Sequence, residues 1–524
     1  MKKAKVLLLF SILVLFFFYD IIFTDKMYLF RDILNLFMPY RLFAAENIQN
    51  GTVPIWNPYS FFGQPFLANP ETSLFYPFTI LFYLFKFTIA YKVFVILHFY
   101  LASIFFYFLA KTLKIKNSYA IFGSICWAFG GYLITRVEFL SILGAAIWLP
   151  LALIFLMNKN KILLGLVFVM QIFAGHPQII FYTILLLLFF LKKNIIYTFI
   201  FSIFFALFLS SIQIIPSFEF IRSSNRAKGI TYQEASSVSI SPAEIIKNIL
   251  PMKNIDITGN FWLKSFYVGL IPLIFIFTYF FNSDKKLLLP LIVILILALG
   301  RNTPVYEFLY KYLLPFSRIR YPAAIMFLFS FIICLMISKS NIYDLSKFTP
   351  LFIILTIFDL YLYSYKLNPK ISSEFINIKT KNILNLQKNT DDGKYLVLPD
   401  VYSNTLNYYD FINTLPANVN IPHHIFNASG YDPLTTEGIE TFVEKLKNDT
   451  NAKELSKYNI KYVITNKNID NGWRKLKNNI FENKYYNTSI SINPQTFRPC
   501  HIYFLVGICL TIFSTVFLAL YIKI

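Results

Sequence analysis

The chain has 524 residues, 56% of them hydrophobic and only 14% charged, with a mean hydropathy of +0.56. That balance excludes a soluble domain, because apolar runs near the length that crosses a bilayer recur along most of the sequence. The net charge of +21 does not point to nucleic acid: the lysines gather in short gaps between apolar runs, where the positive-inside rule places them. The runs are continuous rather than alternating, which sets aside a β-barrel and leaves a polytopic, mainly α membrane protein.

Lys2, Lys3 and Lys5 precede an apolar run from Val6 to Phe23. No small-residue cleavage pattern follows, so the run reads as an uncleaved anchor with a cytoplasmic N-terminus. Placing lysine-bearing gaps inside puts 24–90 outside and predicts spans near 91–110, 118–135, 140–157, 162–175, 179–191 and 195–216. An outer loop with Arg222, Arg226, Lys228, Lys253 and Lys264 comes next. Two spans then flank Lys285 and Lys286, the second emerging at Gly300-Arg301. An amphipathic outer stretch leads to spans near 323–338 and 348–366, with Lys339 and Lys347 inside. The last span, near 501–522, returns the C-terminus to the cytoplasm. The expectation is about 12 transmembrane helices: a bundle over 1–367, an extracytoplasmic α+β domain over 368–498, and a final helix over 499–524.

In that polar domain Lys394–Leu398 and Lys461–Thr465 are strand-like. Ile439, Phe442, Val443 and Leu446 mark one face of a helix, with Thr436 as N-cap and Glu437 in the first turn. Cys126, Cys334, Cys500 and Cys509 lie in or beside apolar runs without a CxxC, which supports neither a disulfide framework nor a zinc site.

The first outer segment, Phe30 to Pro77, is too polar and Pro-rich to cross a bilayer. Ile33, Leu36, Phe37, Tyr40, Ala44 and Ile48 recur at helical spacing. The pattern predicts a helix on the membrane surface, kinked at Pro39, with Asp32, Asn35, Glu46 and Asn50 on its free side. Pro54, Trp56, Asn57, Pro58, Gly63 and Pro65 then form a rigid aromatic loop, read as the floor of a site with Trp56 and Asn57 as substrate contacts. Asp32 is the leading catalytic candidate. A carboxylate at the mouth of a membrane cavity can act as general base toward a hydroxyl, ligate Mg²⁺ or Mn²⁺, or simply cap the helix it begins.

Glu71, in Asn69-Pro70-Glu71, is a further outer carboxylate, read first as a solvated loop residue and carried as a substrate-side candidate. Glu138, close to Arg136, reads as half of a structural ion pair. His176 and Gln178 sit in a constrained turn, AGHPQIIFY, where histidine can donate to a phosphate or relay a proton. Arg301, Arg318 and Arg320 lie just outside the ninth and tenth spans. Guanidinium groups bind phosphate in bidentate fashion, although span-end arginines also snorkel to the interface; Arg320, in RIRYP, is the preferred phosphate contact. The cytoplasmic gaps are too short for a nucleotide-binding domain and carry no Walker A motif. An activated group used outside must therefore arrive on a membrane-borne carrier.

Asp32 after the first span, then PIWNPYSFFGQPFLANPETSLFYP, AGHPQIIFY, RIRYP, ASGYDP (428–433) and LSKYNIKYVIT (455–465) occur in this order. Together they resemble the bacterial YfhO membrane protein family over essentially the whole chain. The resemblance implies a GT-C-type glycosyltransferase with a polyprenyl-phosphate-linked sugar as donor and an envelope polymer or glycan as acceptor. It implies a site on the extracytoplasmic face of the cytoplasmic membrane and gives the catalytic role to Asp32. It also expects a Gln-like residue where Glu71 stands. A transporter or flippase of a lipid-linked glycan is the rival reading, disfavoured because no internal repeat and no mid-span charge cluster is found.

Overall fold

The structure, a computed structural model, describes residues 3–249, 260–282, 285–340, 348–388, 393–404, 408–469, 472–476, 479–487, 506–512 and 515. Lys253, Lys347, Cys500 and most of the final helix expected near 501–522 lie outside the described residues.

The chain is mostly helical. Phe87–Thr112, Leu140–Met157 and Pro322–Lys339 are long and apolar enough to cross a membrane. The pair Lys193–Leu209 and Ser211–Arg222 passes the same test jointly but bends by 80° at its break. The other apolar helices, among them Ala4–Phe17, Lys161–Ala174, Pro177–Leu188 and Thr349–Tyr365, are shorter. Among the described residues, three helices pass this test, or four with the bent pair taken as one span, where about 12 spans were expected. Two of the breaks have local causes. The segment expected as one span over 118–135 stops at Phe129 and restarts at Gly131, where the Gly131 N–H bonds the Tyr267 carbonyl instead of its own helix. At the bend before Ser211, the hydroxyl of Thr511 accepts the freed Ile212 N–H at 3.1 Å, so helix 506–512 satisfies what the bend exposes.

The predicted surface helix is a core element. Ile33–Phe37 forms a π-helical turn and Met38–Gln49 continues as α-helix, with Pro39 in its first turn rather than at a mid-helix kink. Met38, Tyr40, Arg41, Phe43, Ala44 and Ala45 are buried. Arg41, fully enclosed, binds the Thr72 carbonyl and the Ser73 hydroxyl, fastening the Asn69–Ser73 loop to the helix. That buried cation overrides the expectation of a helix lying on lipid.

The C-terminal part carries a four-stranded sheet. We label its strands β1 (Lys394–Val397), β2 (Ile460–Ile464), β3 (Trp473–Lys475) and β4 (Ile480–Asn483), in spatial order β1-β2-β4-β3. β1 and β2 run parallel; β4 is antiparallel to both β2 and β3. Helix Ile439–Asn448 buries Ile439, Val443 and Leu446, the expected face. It begins after Gly438 in the left-handed region (φ 78°), so Thr436 is not its cap. Thr436 instead bridges to Ser224, and Glu437 pairs with Lys228 at 2.9 Å.

Candidate active site

Lys26–Met27 pairs antiparallel with Ile371–Ser372, tying the end of the first helix to the entrance of the sheet region. The chain then turns at Arg31, whose φ of 41° is a left-handed conformation that costs a non-glycine residue about 1–2 kcal/mol. The turn sends the Arg31 guanidinium to Glu138 at 3.1 Å and starts the π-helical turn at Asp32. Glu138 thus pairs with Arg31, and not with Arg136 as its spacing led one to expect. Arg136 is enclosed by the Trp262 carbonyl at 2.5 Å and by the rings of Tyr132 and Trp262.

Asp32 stands at the N-cap position but makes no capping bond. Its carboxylate accepts the Tyr431 hydroxyl at 2.8 Å and feels Arg31 and Arg320. Burial raises its pKa above the ordinary carboxylate range, while the Tyr431 bond and the two guanidiniums pull the other way. Tyr431 is itself 44% exposed, so this bond lies at an open edge.

Tyr431 and Asp432 belong to the ASGYDP motif, which the sequence reading quoted without giving it a site role. Asp432 accepts from the Tyr40 hydroxyl, from Asn69 Nδ2 at 2.6 Å and from the Leu434 N–H at 2.8 Å. Burial pushes its pKa up to about 7. The motif approaches closely because Gly430 faces the Phe61 ring, where an added Cβ would lie 2.4 Å away.

Glu71 is not a solvated loop residue. Ser141 donates to it at 2.6 Å, and burial raises its pKa to about 8, aided by Asp432 and Asp32. Its loop lies against the AGHPQ turn: Ser73 Oγ donates to the Ala174 carbonyl at 2.8 Å. Gly175, at φ 94°, leaves no room for a Cβ beside the Pro70 carbonyl. This packing brings His176 to the cluster. Burial, then Arg136 and Arg320, depress its pKa to about 3, so the imidazole is neutral.

Gln178 Nε2 donates to the Arg320 carbonyl at 2.9 Å and to the Tyr182 hydroxyl at 2.7 Å. Arg320 and Arg226 share Glu234, at 3.9 and 3.2 Å: two guanidiniums on one carboxylate leave net positive charge facing Asp32. Arg226, named earlier only as a loop cation, joins the candidate site through Glu234, which spacing could not single out. Arg318 is exposed and bonds the Arg226 carbonyl at 3.1 Å. Arg301 is exposed, its backbone N–H held by Ser239. Trp56 pairs with Pro65, and Asn57 with Gln64. Asn57 is wholly buried and closes a turn to the Tyr59 N–H at 3.0 Å, so its polar atoms serve the hairpin.

Four side-chain atoms of this cluster are buried without a hydrogen-bond partner in the protein: Asn35 Oδ1, Arg136 Nε, Glu138 Oε2 and His176 Nδ1. Unpaired buried polar groups are rare in proteins; these four, like others elsewhere in the chain, are groups that water or a polar ligand can satisfy. The donors facing Asp32 are a phenol and guanidiniums, and no group of three or more His, Cys, Asp or Glu among the described residues is arranged to hold a metal. Mg²⁺ is commonly held by one or two carboxylates together with water and substrate phosphates, a role for which Asp32 has the right chemistry.

No family model matches the chain, and no curated protein is similar to it in sequence. Among solved structures, the arabinofuranosyltransferase AftD from Mycobacteria matches with a TM-score of 0.57 at 12% identity, over 90% of this chain and 35% of that one. An oligosaccharyltransferase from Archaeoglobus fulgidus, tethered to an acceptor peptide, matches with a TM-score of 0.47 at 11% identity, over 88% of this chain and 69% of that one. The protein has the GT-C fold and corresponds to about a third of the AftD chain.

Proposed function

We propose that this protein transfers a sugar from a polyprenyl-phosphate carrier to a glycan or polymer of the cell envelope, on the extracytoplasmic side of the cytoplasmic membrane. The observation that carries the reading is the state of Asp32 within a GT-C fold. Its carboxylate caps no helix, is raised by burial, and faces Arg31 and Arg320 beside unpaired polar atoms. In fold the chain is similar to a protein named as an arabinofuranosyltransferase, which supports transfer over transport. The resemblance of its motif order to the YfhO family is in keeping with the same class.

In this mechanism Asp32 takes the proton of an acceptor hydroxyl as that oxygen attacks the anomeric carbon. The bond from that carbon to the carrier phosphate breaks, and its electron pair stays on the phosphate oxygen. Arg320, with Arg226 beside it, stabilises the charge that develops there. His176, neutral, contributes a hydrogen bond rather than a charge; Gln178 holds Arg320; Glu71 and Glu138 line the acidic side. The carrier enters between helices of a bundle that, with its broken helices counted, crosses the membrane about 12 times. The sheet region lies outside and contacts the acceptor.

The test is transfer by purified protein from a radiolabelled polyprenyl-phosphate sugar to crude envelope acceptor, with Asp32→Asn beside it. Equal transfer by the variant would remove Asp32 from the chemistry. Movement of the labelled lipid across a vesicle without transfer would instead identify a flippase.

A further inference from the structure

The sheet region holds a cleft of about 540 Å³ that takes no part in the contacts around Asp32. It opens at the carboxyl ends of the parallel pair β1 and β2. Val401 comes from the turn after β1, and Thr465, Asn466, Lys467 and Asn468 follow β2 directly. In open sheets the carboxyl ends of parallel strands are where ligand crevices form. The rim is built rather than loose: the Thr465 hydroxyl lies 3.0 Å from each Asp400 carboxylate oxygen, and the Asn466 N–H donates to one of them at 2.7 Å.

The chemistry of the lining is specific. Asn413, Asn468 and Asn479 line it with amides; the Oδ1 atoms of Asn413 and Asn479 accept from Asn382, so their Nδ2 donors, with the Asn468 amide, are what match sugar hydroxyls. Tyr409 is 38% exposed and offers a flat face for the C–H side of a sugar ring. Lys381, Lys467 and Lys475 outnumber Asp410 in the lining and Asp400 at the rim, so the cleft favours negative charge. From Asn413 and Thr414 the chain continues to Asn418, which donates to the Asn35 carbonyl at 2.8 Å, and on to Tyr431 at Asp32. One stretch thus joins the cleft to the candidate active site.

We infer that this cleft holds a segment of an acidic glycan, sugar units bearing carboxylate or phosphate groups, while the polymer's reacting end lies at Asp32. The choice of a sugar polymer rests on the glycosyl-transfer reading; the site itself rests on the cleft. Its volume suits roughly two or three sugar units.

The whole chain in detergent is titrated calorimetrically with trigalacturonate, a trisaccharide phosphate, neutral galactotriose and inorganic phosphate. Wild type, the Lys467→Gln/Lys475→Gln double variant, Tyr409→Ala and Asp32→Asn are compared. Binding of either acidic trisaccharide, at least tenfold tighter than galactotriose, is the expected result, and which one binds identifies the acid. The lysine variant weakens it roughly tenfold and added salt weakens it further; Tyr409→Ala weakens it about fivefold; Asp32→Asn leaves it unchanged. Equal binding of galactotriose, competition by phosphate alone at the same concentration, or indifference to the lysine and tyrosine changes overturns the proposal. Absent binding with intact transfer by the wild type overturns the cleft alone. Cleft binding without transfer overturns the transfer reading alone.

Discussion

The two segments that carry Asp32 and Asp432 exchange phenol–carboxylate bonds. Tyr431 donates to Asp32, and Tyr40 donates to Asp432. Arg31 and Arg320 pull on Asp32; Asp432 accepts from neutral donors, Asn69 and the Leu434 N–H, while the Glu440 carboxylate adds negative charge. The same side-chain pair is therefore placed in two electrostatic settings. Where guanidiniums face the carboxyl, it can ionise and act on a hydroxyl. Burial raises both carboxyls; at Asp32 the guanidiniums oppose it, whereas at Asp432 neutral donors hold the carboxyl, Glu440 adds to the rise, and the group joins two parts of the chain.

The largest effect expected from this contrast is on transfer. Asp32→Asn lowers kcat by roughly 10²–10⁴-fold, the range for a lost general base, in single-turnover assays, with the melting temperature preserved. Asp432→Asn that cost as much, in a protein equally well folded, would break the distinction between the two aspartates. Next comes the cationic side. Arg320→Gln lowers kcat about 100-fold by removing charge opposite the leaving phosphate, whereas Arg318→Gln, on an exposed residue bonded to a carbonyl, changes it less than about threefold.

The pH dependence sharpens the comparison further. Asp32 must be ionised to act, and its pKa is raised, so the acid limb of kcat against pH falls above the ordinary aspartate range. Tyr431→Phe removes a bond that lowers that pKa and moves the limb to higher pH. Asp432 gives the matching test on stability. Its folded pKa, about 7, exceeds the ordinary 3.8, so folding binds its proton more tightly. That contribution is complete below about pH 3.8 and is lost as pH rises through about 7. Asp432→Asn therefore flattens the melting temperature against pH across this window. The smallest effect is at the hairpin: Asn57→Ala destabilises by about 1 kcal/mol through its lost turn bond in chemical denaturation, with KM unchanged.

Much of the architecture was legible because its signals are local. The strands at 394 and 460 follow from short runs rich in β-formers, within a residue at each end. The helical face of Ile439, Val443 and Leu446 follows from its spacing. What misled was also local reading. The run over 118–135 has the composition of one span, yet Gly130 and a bond to the distant Tyr267 carbonyl divide it. The stretch after Asp32 has the pattern of an interfacial helix, yet Arg41 is held inside by Thr72 and Ser73. Glu138 was matched to the neighbouring Arg136, when its partner lies in another segment.

By itself the sequence determined the class of protein, the sheet strands, and the identity of Asp32, His176, Gln178 and Arg320 as residues worth placing. These follow from hydropathy, periodicity and the chemistry of single side chains, which act over a few residues. Only the tertiary structure decided that Tyr431 serves Asp32, that Glu71 is held by Ser141, and that Arg226 stands beside Arg320. Those facts depend on segments hundreds of positions apart meeting in a low-dielectric interior, where burial and neighbouring charge, rather than residue type, set what a carboxylate or guanidinium can do.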